Sequence, residues 1–191
     1  MEYRMQTPLA RADAAKLRAG DTVLLSGVVY TARDAAHKRL CALAAAGEAL
    51  PIDVKDAVIY YAGPTPARPG EVTGAVGPTT SGRMDAYAPT LLRMGLAGMI
   101  GKGARNEDVI EAMKETGAVY FAAIGGAGAL IASCVESAEL VCWPDLGSEA
   151  VRRLVVRDLP LIVAIDSTGG DLYKTGPAAY REAAGRGAAA E

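Results

Sequence analysis

Ring and sulfur chemistry is scarce in this chain. It has one phenylalanine, one tryptophan, one histidine and three cysteines among 191 residues. Eight tyrosines form no array for stacking on bases, and a net charge of −2 leaves no basic footprint for nucleic acid. No apolar run reaches the about 20 residues needed to span a bilayer as a helix. Even residues 118–130 are interrupted by Gly and Ala. The opening Met1-Glu2-Tyr3-Arg4 lacks the apolar core of a secretion signal, so a cytoplasmic location is the default expectation. Cys41, Cys134 and Cys142 are odd in number, widely spaced and outside any CxxC pattern. Each lies among apolar neighbours and reads as a buried, inert thiol. With His37 as the single imidazole, the chain is not expected to assemble a zinc site of its own. Any metal chemistry would be shared with another polypeptide.

What is present is a core-forming sequence cut by glycine. At 51% hydrophobic content the chain can bury one substantial core and is expected to form one domain with a looser tail. Residues 21–29 read as a strand broken at Gly27, a bulge or a close backbone approach. Thr31 resembles an N-cap for a helix that runs through Leu40 and Leu43 to Gly47 as its C′ residue. Further strands are expected at 57–62, 72–76, 96–100, 119–124, 140–143 and 161–165. Asn106 caps a helix to about Thr116, and 158–160 suggests a hairpin turn. A helix starts near Asp85, or later with Pro89 in its first turn.

Three polar clusters carry candidate chemistry. Gly77-Pro78-Thr79-Thr80-Ser81-Gly82-Arg83-Met84-Asp85 combines a turn, three hydroxyls and a guanidinium ahead of a helix. Free N–H groups at a helix start and the planar fork of Arg83 suit a small anion. A surface turn before an ordinary capped helix explains the same residues as well. Lys102 lies between two glycines after an apolar strand, where open α/β sheets place ligands, although a solvated loop lysine fits too. In Thr31–Arg39, helical spacing puts Arg33 and His37 on one face and pairs Asp34 with Lys38. A solvent-facing charged helix with a surface or supporting imidazole is the plainer reading of that segment. The glycines at 125–128 match neither a P-loop nor GxGxxG, and close packing of a helix on a sheet explains them.

Taken together, GDTVLLSGVVYTARDAAHKRL, GPTTSGRMD, the Gly101-Lys102-Gly103 turn and VRDLPLIVAIDSTGGDLY resemble the β subunit of two-subunit class I fumarases. The same region forms the C-terminal part of single-chain class I fumarases. The related L(+)-tartrate dehydratase β subunit belongs to this group. The resemblance spans residues 8–177 and implies an α/β fold of single-domain swivelling β/β/α three-layer architecture. A tail over 178–191 would be a frayed helix or disordered.

The resemblance also implies a hydro-lyase that interconverts fumarate and (S)-malate. Its [4Fe-4S] cluster would be bound by cysteines of a partner α subunit and none by this chain, in an α2β2 assembly without nucleic acid or membrane. By motif, Arg33, Arg83 and Lys102 match substrate-binding residues, and Thr79 matches the proposed catalytic base. Thr80 and His37 would support them. An unperturbed threonine hydroxyl is a poor base, so Thr79 would need a strongly positive surrounding or a proton relay. The SGRMD ending is closer to the fumarase branch, since the tartrate branch tends to carry a bulkier residue where Gly82 stands. Tartrate or mesaconate as substrate remains an alternative, as does a non-catalytic dicarboxylate-binding module.

Overall fold

Alternating apolar residues decide how the sheet is covered. In 58–62, Val58, Tyr60 and Ala62 enter one buried cluster while Ile59 and Tyr61 enter another. A strand with both faces buried needs layers on both sides, and that is what forms. The computed structural model describes residues 1–188; residues 189–191, the end of the expected tail, lie outside the described residues.

Among the described residues, seven strands form one mixed sheet: β1 (Glu2–Gln6), β2 (Thr22–Thr31), β3 (Val58–Tyr60), β4 (Gly98–Gly101), β5 (Val119–Ala122), β6 (Val135–Cys142) and β7 (Val151–Ile165). β1 to β5 pair as parallel neighbours in sequence order. The long β7 runs antiparallel to β5, β2 and β6. Because β7 pairs with both β5 and β2, the strands β2-β3-β4-β5-β7 close on themselves. Val29, Val58, Tyr60, Ile100, Phe121, Leu154 and Val163 belong to the cluster this closure encloses. On the outer face of β3 to β5 pack α2 (Asp34–Ala46), α3 (Ala88–Arg93) and α4 (Glu107–Thr116), through Leu40, Leu91, Leu92, Ile110 and Met113. Two layers of strand and one of helix result, in a single domain. Each such aliphatic side chain contributes about 1.5–3 kcal/mol on burial.

The remaining helices are α1 (Arg11–Ala14), α5 (Gly128–Ser133) and α6 (Leu172–Ala188). α6 continues through Pro177, so residues 178–188 extend a helix that begins before the expected tail. The helix stops are local chemistry: Gly47 and Gly117 end α2 and α4 in the left-handed region, and the Asn106 side chain accepts from Val109 N at 3.0 Å. α3 begins at Ala88 with Pro89 in its first turn, after a 3-10 turn at Ser81–Met84; this is the later of the two expected starts.

Three local expectations fail. Residues 72–76 are no strand: the segment doubles back, with Thr65 N donating to Ala75 O at 3.1 Å and Gly74 N to Thr65 O at 3.2 Å. Thr31 is no cap: it ends β2, its hydroxyl accepts from Arg152 N at 3.2 Å, and Arg33 takes the N-cap position without a side-chain cap bond. Nor does the chain turn at 158–160. β7 passes straight through, and Asp158, at φ +48°, sits opposite the irregularity between Leu25 and Gly27, donating its N–H to Ser26 Oγ. A residue in that conformation makes a bulge as readily as a turn.

Gly27 fulfils both roles suggested for it. Its φ is +106°, and a Cβ there would lie 3.0 Å from Thr7 O and strike the Thr7 hydroxyl. Gly27→Ala is therefore expected to lower stability by about 1–3 kcal/mol, read from urea unfolding midpoints; an unchanged midpoint would mean the Thr7 segment can yield.

Candidate functional site at the carboxyl edge of the sheet

Parallel strands end together, so the residues that follow β2, β3 and β4 share one edge. Arg33 and Asp34 follow β2, Tyr61 to Gly63 follow β3, and Lys102 follows β4. The 77–85 segment is held between these strand ends by backbone bonds: Thr79 N donates to Tyr61 O at 2.7 Å, and Ser81 N to Lys102 O at 2.9 Å. Lys102 N returns a bond to Thr79 O at 3.3 Å. Thr79 and Thr80 are thereby fixed beside Lys102 by main chain alone, Thr79 half-buried, Thr80 and Lys102 exposed. Ser81 fits because Gly101 has no Cβ, which would otherwise strike the Ser81 hydroxyl. Of the glycines at 125–128, Gly128 alone packs closely, and against this loop rather than the sheet: a Cβ there would lie 3.1 Å from Gly77 N, whereas one on Gly126 would meet nothing within 4 Å.

The loop's far end brings Arg83 to the start of α2. Arg83 Nη2 donates to Asp34 Oδ2 at 2.8 Å, so Asp34 pairs across the fold rather than with Lys38. Arg33 Nη2 meets Glu149 Oε1 at 3.1 Å. Gly63 permits this, because a Cβ there would lie 3.0 Å from Arg33 Nη1. Burial works to raise the Asp34 carboxyl, but the Arg83 hydrogen bond and the charges of Arg83 and Arg33 outweigh it and hold it below its ordinary range. Asp34 Oδ1, Arg33 Nε and Glu149 Oε2 are buried atoms without a hydrogen-bond partner among the described residues. The edge therefore presents two guanidinium groups, one ammonium and two hydroxyls, with donors to spare. Such a set can hold an anion with more than one carboxylate.

Beneath the loop lies a feature that the sequence did not signal. Arg105 is fully enclosed; its Nε donates to Asp85 Oδ1 at 2.6 Å, and its guanidinium carbon is 5.3 Å and 5.1 Å from the Tyr61 and Tyr120 ring centres. Asp85 also accepts from Asn106 N at 2.8 Å, and Tyr120 OH bonds with Ser81 Oγ at 2.8 Å. The last residue of the loop is thus clamped to α4 and its middle to β5. Tyr173 of α6 adds a further tie, its hydroxyl accepting from Gly103 N at 2.9 Å. A lone arginine after a Gly-Lys-Gly turn looks solvated in sequence, and only folding places two tyrosine faces against it.

His37 is not the surface imidazole of the plainer reading. It is wholly buried edge-on to Tyr61, with Nδ1 2.9 Å from Arg33 O. A carbonyl can only accept, so Nδ1 carries the proton and Nε2 is bare. Burial pushes its pKa down to about 4, with the Arg105 charge adding to the effect. A neutral, sealed imidazole cannot act as a general acid near neutral pH, and its contact braces the backbone of Arg33.

The cysteines are half-buried rather than enclosed. Cys134 packs against one core cluster, Cys41 and Cys142 against the other, and burial raises all three thiols. Among the described residues no group of three or more His, Cys, Asp or Glu side chains could hold a metal ion, so this donor set does not fit an iron–sulfur cluster. Among the same residues no helix is long and apolar enough to cross a membrane.

The chain is an α/β domain whose carboxyl strand edge carries cations and hydroxyls. The fumarase C-terminus family model matches residues 2–176, and the chain belongs to that family. It is 38% identical over 180 residues to the putative L(+)-tartrate dehydratase subunit beta of Methanocaldococcus jannaschii, covering 91% of this chain and 92% of that one. It is 40% identical over 152 residues to the aerobic class I fumarate hydratase of Escherichia coli, covering 78% of this chain and 28% of the other. With fumarate hydratase 2 of Leishmania major it shares 37% over 156 residues, 81% of this chain and 28% of that one. The chain thus spans nearly all of the β-subunit relative but little more than a quarter of these fumarate hydratases.

Two predictions concern the support beneath the site. The unfolded chain takes up the His37 proton near pH 6.5 and the folded one only near 4, so this contribution to stability is complete above 6.5 and lost as pH falls toward 4. About 3 kcal/mol should disappear across that window, whereas Asp21, Asp34 and Asp166, held below 3.8, lose theirs at lower pH. His37→Gln should flatten the curve of unfolding free energy between those limits; equal slopes would exclude His37 as the cause. Asp85→Ala would strand Arg105 without its anion and should cost about 3–5 kcal/mol, measured by chemical denaturation, and a loss under about 1 kcal/mol would show the pair is dispensable.

Proposed function

We propose that this chain is the β subunit of a two-subunit class I hydro-lyase that adds water to fumarate to give (S)-malate, and removes it in reverse. The observation that carries this reading is the meeting of Arg33 and Arg83 around Asp34 at the edge that also bears Thr79 and Lys102. Four residues drawn from three separate sequence motifs form one cationic wall, as binding a dianion requires.

On this reading the guanidinium groups and Lys102 take the two carboxylates. Dehydration removes a proton from the carbon next to one carboxylate, which then gathers negative charge. A cation fixed there stabilises that charge more than it stabilises the substrate, and this difference is what accelerates the step. Thr79 is the candidate to receive the carbon-bound proton, with Arg83 and Lys102 supplying the positive field its hydroxyl needs. Thr80 and the buried His37 support this wall rather than touch the reacting atoms. The family's [4Fe-4S] cluster would assist departure of the hydroxyl, and would belong to an α subunit. An α2β2 assembly in the cytoplasm accords with this reading.

A second reading, the β subunit of an L(+)-tartrate dehydratase, is favoured by the near full-length match to the Methanocaldococcus jannaschii relative. Gly82 is the position to watch, since a Cβ there would meet nothing within 4 Å and a larger side chain could enter. A pocket change of one methylene shifts discrimination by only about 1–3 kcal/mol.

The test is anaerobic co-expression with a cysteine-bearing α subunit and assay with fumarate, malate, tartrate and mesaconate. Turnover of fumarate and malate is expected. A pair with an intact cluster that turns over none of the four would sink the hydro-lyase reading and leave dicarboxylate binding alone, and tartrate turnover alone would establish the second reading. Arg83→Lys keeps the charge but not the fork and should lower kcat/KM about tenfold or more; wild-type kinetics would remove Arg83 from carboxylate binding.

A further inference from the structure

We propose that Asp34 is a positioning residue that holds Arg83 in place beside Arg33 as part of a preformed clamp; this rests on the reading that those arginines bind the substrate's carboxylates. Asp34 is the first residue of α2, and Arg83 comes to it from a loop 49 residues further on. The contact is single-pronged, Nη2 to Oδ2 at 2.8 Å, and leaves the other Arg83 donors free for a bound anion. Arg83 is 45% exposed, so without this tether its long side chain would range through many rotamers. Arg33 is itself tied by one prong to Glu149 Oε1 at 3.1 Å, with its Nε buried and without a partner among the described residues.

Each arginine therefore spends one donor on a fixed carboxylate and keeps the rest. That pattern differs from a competitor for the site, which would have to occupy the fork and leave when substrate arrives. It also sets the charge of the wall, since Asp34 and Glu149 offset part of the charge of Arg33, Arg83 and Lys102. The substrate then meets guanidinium groups already in place, and the ordering that binding would otherwise demand has been met in folding.

An acidic residue in a first helical turn can also stabilise the helix alone, so the experiment must separate the two roles. Asp34→Ala, Asp34→Asn, Arg83→Ala and the double variant Asp34→Ala with Arg83→Ala are compared in the anaerobically reconstituted two-subunit enzyme. KM and kcat are measured with whichever of fumarate, malate and tartrate it turns over, beside melting temperatures. Asp34→Ala should raise KM about tenfold with kcat within about threefold of wild type. Asn keeps an oxygen for Arg83 and should recover most of that loss. In the Arg83→Ala background, Asp34→Ala should add less than about twofold, because the residue it positions is gone. An unchanged or lowered KM in Asp34→Ala, where Arg83→Ala raises it, would overturn the proposal and leave the arginine reading intact. So would an Asp34→Ala effect that persists in full without Arg83, the mark of a helix-stabilising role. Wild-type KM in Arg83→Ala, or an enzyme that turns over none of the substrates, would remove the arginine reading and this proposal with it. If Asp34→Ala does not fold, Asp34→Asn decides: a KM rise of about two- to fivefold at the wild-type melting temperature supports the role, and an unchanged KM overturns it.

Discussion

Fifteen residues of β7 hold this molecule in shape. The strand pairs with β6 over 151–156, with β2 over 152–162 and with β5 over 162–165, so one element closes a sheet that would otherwise lie open. Closure hides the edges of β2 and β5, which parallel strands expose at a cost in unpaired N–H and C=O groups. It also gives the strands an inner face, lined by Val29, Phe121 and Leu154, to which the short α1 and α5 add Ala14 and Ile131. Helices α2, α3 and α4 gather on the other face, and the two-layer β and one-layer α arrangement follows.

From that arrangement comes the position of the site. β2, β3 and β4 are parallel, so the segments leaving them emerge at a common edge, and the loop that carries Thr79 and Arg83 is laid across it by main-chain bonds. Beneath it, the Arg105–Asp85 pair converts a buried charge from a liability into a strut, since two tyrosine faces and a carboxylate replace the water it lost. His37 belongs to the same support, neutral because the low-dielectric surroundings and the nearby arginine both oppose its charge.

The wall above has the opposite character. Its two guanidinium groups are each partly compensated by a carboxylate of the same chain, while Lys102 stands exposed. Both layers hold buried polar atoms without partners among the described residues, Tyr61 OH, Arg105 Nη2 and His37 Nε2 below and Arg33 Nε above. What separates them is exposure: the support is sealed, whereas Arg83 and Lys102 reach solvent.

Much of this was legible in sequence where the signal was local. Gly47 at a helix end, Asn106 as a cap and Gly27 at a bulge depend on φ or on a side chain three residues away. The motifs holding Arg33, Thr79, Arg83 and Lys102 could be read as candidate chemistry for the same reason. Long-range partners could not. Thr31 looked like a cap because its hydroxyl suits one, yet β7 claimed it. Asp158-Leu159-Pro160 looked like a turn because a positive φ serves a bulge equally well. His37 could be read as a surface or as a supporting imidazole, because nothing local says that Tyr61 will cover it. What the sequence by itself determined was the set of chemical groups and their local geometry. Only the tertiary structure decided which charges were buried, which were paired and which were left to bind, because those outcomes depend on neighbours brought together by sheet closure.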